Sequence, residues 1–266
     1  MGWGRGYPKV TGVLPVALGD AVKLIGFLMQ SSKEYVTVMQ LHGEVALNTL
    51  KEVVGLFKGK IYQKPPVRSS VKRALRVREI LDIEILEYEY PYVLLRVDCE
   101  HGTYVRKLIH DIGDILGVGA HMRELRRIRT GPFKEDSDLI KMQELSEYVY
   151  LWRNKGDPSF LMKAVKPGEY IVSHLPKVIV NDVAVSAVTH GADLTVPGIS
   201  VIHEKIRKGD PVAIFSLKGE LVAVGIAQMH TEEVLQTRRG VFAKTQRVVM
   251  SRETYPPLWK KHRGAG

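Results

Sequence analysis

Apolar residues recur along the first half of the chain in two rhythms. In DAVKLIGFLMQ (20–30), ALNTLKEVVGLF (46–57, closed by Gly59) and TYVRKLIHDIGDILG (103–117) they fall at helical spacing, and the last of these predicts an amphipathic helix stopped by Gly117 and Gly119. EYVTVMQLHG (34–43) is rich in β-branched and aromatic residues and predicts a strand. Residues 77–89 and 92–99 predict two more, turning at Pro91, and HMRELRRIR (121–129) another. The elements mix without a regular βαβ cadence, which predicts an α+β fold rather than a doubly wound sheet. The pattern breaks over 151–176, in WRNKGDPS, KPGEY and SHLP, with one short helical stretch, FLMKAV, between the breakers. Beyond it KVIVND, a turn at Gly198, PVAIFSLKGELVAVGIAQM and VFAKTQRVVM read as brief strands at close spacing, the pattern of a small β-barrel. The expected division is a first domain over 1–165, a barrel over 176–252 and a basic, frayed tail over 253–266.

Charge sharpens this picture. The 266 residues hold 39 Lys+Arg against 29 Asp+Glu, a formal net charge of +10. Residues 1–150 carry 22 basic and 19 acidic side chains, and residues 151–266 carry 17 and 10, so the C-terminal half is the more cationic. Lys58, Lys60, Lys64, Arg68, Lys72, Arg73, Arg76 and Arg78 follow one another without an intervening acid, and an Arg-rich stretch at 123–129 repeats the theme. A single charge run is usually a solvated face, but several separate basic clusters point to a polyanion, above all a nucleic acid. No amphipathic helix gathers these charges opposite an apolar face, which argues against a membrane surface. No apolar run reaches the roughly 18 residues of a helical span. Cys99 is the lone cysteine, so an internal disulfide is excluded and a reducing, cytoplasmic compartment is expected. MGWGRGYPK has no apolar stretch long enough for a secretory leader. The nine histidines show no metal-ligand spacing, and GWGRG lacks the lysine and helix of a phosphate loop.

Four ordered motifs carry a resemblance. PKVTGVLPVALGDAVKL (8–24), YQKPPVRSSVKRALRVREI (62–80), HGTYVRKLIHDIG (101–113) and GAHMRELRRIRTGPF (119–133) resemble the dyskerin and tRNA pseudouridine synthase B family of RNA-modifying isomerases, in its archaeal and eukaryotic dyskerin branch. AVSAVTHGADLTVPGI and KGDPVAIFSLKGELVAVGIA are similar to a PUA domain, a small RNA-binding barrel. The resemblance implies isomerisation of uridine to pseudouridine in the tRNA TΨC loop, or at sites chosen by an H/ACA guide RNA within a ribonucleoprotein. It implies RNA and H/ACA ribonucleoprotein proteins as partners, a cytoplasmic location (nucleolar in a eukaryote), and neither cofactor nor metal. Tyr35 matches the family tyrosine that stacks on the flipped base, and Arg106 the arginine that pairs with the catalytic aspartate. Tyr104 matches a second pocket tyrosine, Lys23 a lysine near the motif-one helix, and Leu125 an apolar wall against the uracil. Lys64, Arg68, Lys72, Arg73 and Arg76 would hold RNA phosphates. For Lys23 and Leu125, surface charge and core packing are almost equally good readings. Asp111 is better explained by helix capping or pairing with a neighbouring arginine than as a substitute nucleophile.

The chain departs from the family at one place. The family aspartate directly precedes the proline of the first motif, and here Tyr7 stands before Pro8. A phenol, with its reference pKa near 10, is too weak an anion to replace a carboxylate. A buried Arg106 deprived of its carboxylate would cost about 3–5 kcal/mol. Family members carry a substantial segment before this motif, and the match here is expected to fail abruptly between Tyr7 and Pro8, as at a coding junction. The expectation is that residues 1–7 are not the natural beginning. The alternatives are a non-catalytic RNA-binding scaffold using the PUA domain and the basic faces, and a basic structural component of a larger ribonucleoprotein.

Overall fold

A computed structural model describes residues 10–64, 74–136 and 138–256. The chain divides into two compact units, one made of residues up to Pro15 with Met29–Ala164, the other of Val16–Leu28 with the residues from Val165 on.

The first unit is a sheet with helices on one face. Its strands are β1 (Val10–Gly12), β2 (Lys33–Leu41), β3 (Gly59–Gln63), β4 (Arg76–Glu89), β5 (Tyr92–Cys99), β6 (Ala120–Thr130) and β7 (Phe133–Lys134). They lie in the order β1-β6-β2-β5-β4-β3, with β7 hairpinned on β6; β1 runs parallel to β6 and the other pairs are antiparallel. Alternation does the sorting. On β5, Val93, Leu95, Val97 and Cys99 are buried, while Arg96 and Asp98 point the other way. The buried set packs with Met39 and Leu41 of β2, Leu50 and Val54 of a helix over Leu47–Leu56, and Val105, Leu108, Ile109 and Ile112 of a helix over Val105–Ile115. The opposite face carries an ion network: Arg96 meets Glu34, Glu84 and Asp82, and Arg129 meets Glu34 at 3.1 Å and Asp98 at 2.6 Å.

In chain order the helices are α1 (Ile25–Met29), α2 (Leu47–Leu56), α3 (Val105–Ile115), α4 (Met142–Lys155), α5 (Ser159–Ala164), α6 (Gly168–Ile171), α7 (Asp182–Thr189) and α8 (Thr231–Gln236). At Gly113 of α3 the backbone nearly touches the start of β6, where an ideal Cβ would lie 2.2 Å from the Ala120 nitrogen. A backbone atom cannot yield as a side-chain tip can. Gly113→Ala is therefore expected to lower stability by about 1–3 kcal/mol in urea unfolding, with the m-value unchanged.

The second unit is a six-stranded sheet of β8 (Lys177–Val180), β9 (Leu194–Thr195), β10 (Ile199–Ile202), β11 (Pro211–Ser216), β12 (Leu221–Ala227) and β13 (Val241–Val248), ordered β10-β8-β11-β12-β13-β9. Its core joins Val178, Val185, Leu194, Ile214, Val222 and Phe242.

Several expectations are corrected. Residues 20–30 do not make one helix but a 3-10 turn over Gly19–Leu24 followed by the five-residue α1, whose Gly26 is a poor helix former. The break expected from residue 151 comes later, because α4 runs on to Lys155 and ends at Gly156 in a left-handed C-cap (φ 71°). In KVIVND the strand stops at Val180; Asn181 caps α7, its side chain accepting from the Ala184 N–H at 2.9 Å, so AVSAVT is helical. The tail is not frayed at its start, since Tyr255 is buried and its hydroxyl donates to Glu220 at 2.9 Å.

Candidate functional site

Tyr35 lies on β2, opposite Val97 of β5 and Arg127 of β6, half-buried against the core that α2 and α3 cover. Two positions along, Thr37 stands opposite Leu125, which packs on the same core. Alternation puts Tyr35, Thr37, Leu125 and Arg127 on one face of the sheet. Burial pushes the Tyr35 phenol up from its ordinary value, the Cys99 thiol pushes it the same way, and the Arg127 guanidinium, on the facing position of β6, opposes both. Arg127 also donates from Nε to the Val13 carbonyl at 2.9 Å.

β5 ends at Cys99, beside the start of β2, and the chain then turns into α3. Tyr104 is the N-cap of α3 and is half-buried. Gln63, buried at the end of β3, holds the backbone there with its side-chain amide, accepting from the Tyr104 N–H at 3.0 Å and donating to the Tyr104 carbonyl at 3.3 Å. This bidentate clamp stands in for a side-chain cap and orients the helix start. Arg106 is the second residue of α3 and is exposed, so the energetic argument that rested on its burial does not apply. Lys33, two residues before Tyr35 on β2, donates from Nζ to the carbonyls of Met29 (2.5 Å) and Ser31 (2.7 Å). Burial and Arg127 both lower the pKa of its amine.

Other candidates resolve differently. Lys23 falls in the second unit, paired with Asp20 at 2.8 Å, and both line a cavity of about 370 Å³ with Thr189, Gly191 and residues 248–252. Asp111 pairs with Lys107 one turn earlier, a lysine and not the expected arginine. The histidine spacing gave no hint of metal ligands, yet His110, Asp111 and Asp114 bring donor atoms within 4.8 Å of one another. The group does not fit a metal well, because Lys107 already holds Asp111 and His110 already meets Asp114 at 2.9 Å. Cys99 is no substitute nucleophile: its thiol is buried, donates to the Lys33 carbonyl at 3.6 Å, and burial pushes its pKa up to about 12.

The basic stretches are less available than the sequence suggests. Arg126 forks onto Glu135, Arg129 serves the ion network, and Arg127 turns to Tyr35 and Val13. In the longer run Lys58 pairs with Asp82 at 2.8 Å and Arg78 approaches Glu100 at 3.7 Å. Lys64 is exposed just beyond β3 and Arg76 is half-buried opposite Gln63. Tyr7, Arg68, Lys72 and Arg73 lie outside the described residues. Sequence reasoning missed Arg127 and Gln63. For Arg127 the Arg-rich stretch was the only signal, and for Gln63 there was none.

Comparison with known proteins supplies the context. The N-terminal domain model of the TruB family pseudouridylate synthases matches residues 4–48 and 43–105, the tRNA pseudouridylate synthase B C-terminal domain model matches 106–173, and the PUA domain model matches 176–249. The first match reaches residue 4, so likeness to the family does not stop abruptly at Pro8 as expected. A probable tRNA pseudouridine synthase B of Pyrococcus furiosus is 52% identical over 254 residues, covering 96% of this chain and 75% of that protein. The corresponding protein of Saccharolobus solfataricus is 49% identical over 250 residues, 94% of this chain and 99% of its own length. Among solved structures, a crystal structure of a Cbf5-Nop10-Gar1 complex matches with a TM-score of 0.91 at 52% identity, over 94% of this chain and 76% of that one. An H/ACA RNP bound to a substrate RNA containing 2'-deoxyuridine matches with a TM-score of 0.87 at 50% identity, over 95% and 76%.

Proposed function

Because the chain belongs to the TruB family of pseudouridylate synthases, we propose that its uridine pocket lies on the sheet face of Tyr35 and Leu125, at the end where α3 begins with Tyr104 and Arg106. The observation that carries this reading is the half-buried Tyr35, held against the core beside Arg127 with no carboxylate pairing Arg127 among the described residues.

The reaction breaks the N1–C1′ bond of a uridine, turns the base, joins C5 to C1′, and exchanges the proton on C5 for one on N1. It consumes no redox equivalents. What the protein must supply is a stacked base, a proton handler, a water-poor pocket and a carboxylate at the sugar. Tyr35 offers an aromatic face and a phenol. Leu125 offers an apolar wall, Tyr104 a second ring, and Arg106 a cation for a carboxylate or phosphate. Tyr7 occupies the position of the family's aspartate and cannot serve as that carboxylate.

The RNA partners we propose are the TΨC-loop uridine of tRNA and guide-paired targets within an H/ACA ribonucleoprotein, with the PUA domain and Lys64, Arg68, Lys72, Arg73 and Arg76 holding phosphates and shape. The relatives solved as a complex with Nop10 and Gar1, and as an H/ACA RNP on substrate RNA, support this reading. A flipped uridine costs least in a loop, where stacking is already broken. A cytoplasmic location fits the lone cysteine, and no described helix is long and apolar enough to cross a membrane. The test is tritium release from 5-tritiated uridine in a TΨC stem-loop, with and without guide RNA, by the chain and by Tyr7→Asp. Release by neither, alongside salt-sensitive RNA binding, would favour the non-catalytic scaffold.

A further inference from the structure

We infer that Arg127 is a positioning residue for the isomerisation, fixing the hydroxyl of Tyr35 and the strand β1 beside it. The inference rests on the reading of Tyr35 as the base-facing tyrosine.

Register makes the pairing. Between Glu34 and Tyr35 the β2–β6 ladder shifts by one residue, Ile128 being the extra one, so Glu34 faces Arg129 while Tyr35 faces Arg127. Arg129 thereby joins the ion network on the far face, and Arg127 is turned to the face of Tyr35. A guanidinium has donors only, so toward the facing Arg127 the phenol oxygen can act only as an acceptor. In that arrangement the phenolic hydrogen is left to serve a bound base.

Arg127 is itself clamped. Its Nε donates to the Val13 carbonyl at 2.9 Å, and its own carbonyl accepts from the Val13 N–H at 2.8 Å. Gly12, at φ +104°, lies so close that an ideal Cβ there would sit 2.1 Å from the Arg127 oxygen. β1 begins three positions after residue 7, the place of the family's aspartate. Arg127 therefore stands between the strand that follows that position, to which it is bonded, and the tyrosine that it faces across the ladder. Among the described residues the titratable groups that act on the phenol are Arg127 on β6 and Cys99 on β5, and Cys99 stays protonated; Lys33, two positions earlier on β2, has its ammonium held by two carbonyls.

The experiment compares Arg127→Lys and Arg127→Met in full-length chain, in two backgrounds. In the unaltered chain, tyrosines labelled at 13Cζ are titrated by NMR, with Tyr35→Phe identifying the resonance. Arg127→Met should move the Tyr35 phenol pKa upward and Arg127→Lys should restore most of the shift. In the Tyr7→Asp background, Arg127→Met should lower the kcat for tritium release about 10²-fold, the cost of misplacing a group by about an ångström, with KM little changed and most of the rate recovered in Arg127→Lys. An unchanged Tyr35 titration, or equal losses of rate in both variants that track a fall in unfolding midpoint, overturns the inference. If Tyr7→Asp releases no tritium, the catalytic reading fails separately, and the NMR titration still decides whether Arg127 sets the phenol.

Discussion

Tyr7→Asp should turn a chain that releases no tritium from 5-tritiated uridine RNA into one that does. The family's reaction needs an ionised carboxylate at the sugar, and an aspartate is almost fully ionised at neutral pH where a phenol is almost wholly protonated. Removing a covalent nucleophile from an otherwise intact site typically costs on the order of 10⁶-fold in kcat. The difference between the two chains should thus be that of background against turnover, not a modest change of rate. The comparison must hold RNA affinity fixed, since Tyr7 is remote in sequence from the basic run at 58–78. Equal affinity with unequal turnover assigns the effect to chemistry. Turnover by the unaltered chain would mean that some other group supplies the carboxylate. Asp111 is the nearest candidate by motif, but it is held by Lys107.

Changing Lys64, Arg68, Lys72 and Arg73 together to serine should weaken RNA binding about 10²–10³-fold at 0.1 M salt and flatten the salt dependence. Each phosphate contact to a single strand contributes about 0.7 to the slope of log K against log salt, so four lost contacts remove nearly three units of slope. These four are chosen because the neighbours on either side are partly spent: Lys58 pairs with Asp82, and Arg78 approaches Glu100. The control is the change of Arg126 and Arg129 to serine. Their guanidinium groups already meet Glu135, Glu34 and Asp98, so RNA affinity should barely move while stability falls. If the control weakens binding as much as the quadruple change, the basic run is not the RNA-binding face.

How far the residues announce this structure depends on how local the cause is. α3 is legible because Val105, Leu108, Ile109 and Ile112 repeat at three and four residues and all reach the core. β5 is legible because every second residue from Val93 to Cys99 is buried. α4 is not, since none of its residues is buried and its charges are scattered round it. α7 is hidden by its β-branched residues, and it is the Asn181 cap that starts it. In the site, Tyr35, Tyr104, Arg106 and Leu125 stood out only through resemblance to a family, because a strand tyrosine or a helix arginine is otherwise unremarkable. Arg127 was hidden among four arginines, and a one-residue shift in a ladder between strands some 90 positions apart, which decides its direction, leaves no mark in local sequence. The basic clusters misled for the same reason: their carboxylate partners come from other strands.

The most direct test of the pocket needs no turnover. A TΨC stem-loop carrying 4-thiouridine at the target position is irradiated with the unaltered chain, and the cross-linked peptides are mapped. The account predicts adducts in the peptides that contain Tyr35 and Tyr104, abolished by competing unmodified RNA. Cross-links confined to the second unit and the basic run, with residues 33–39 and 103–106 untouched, would contradict it.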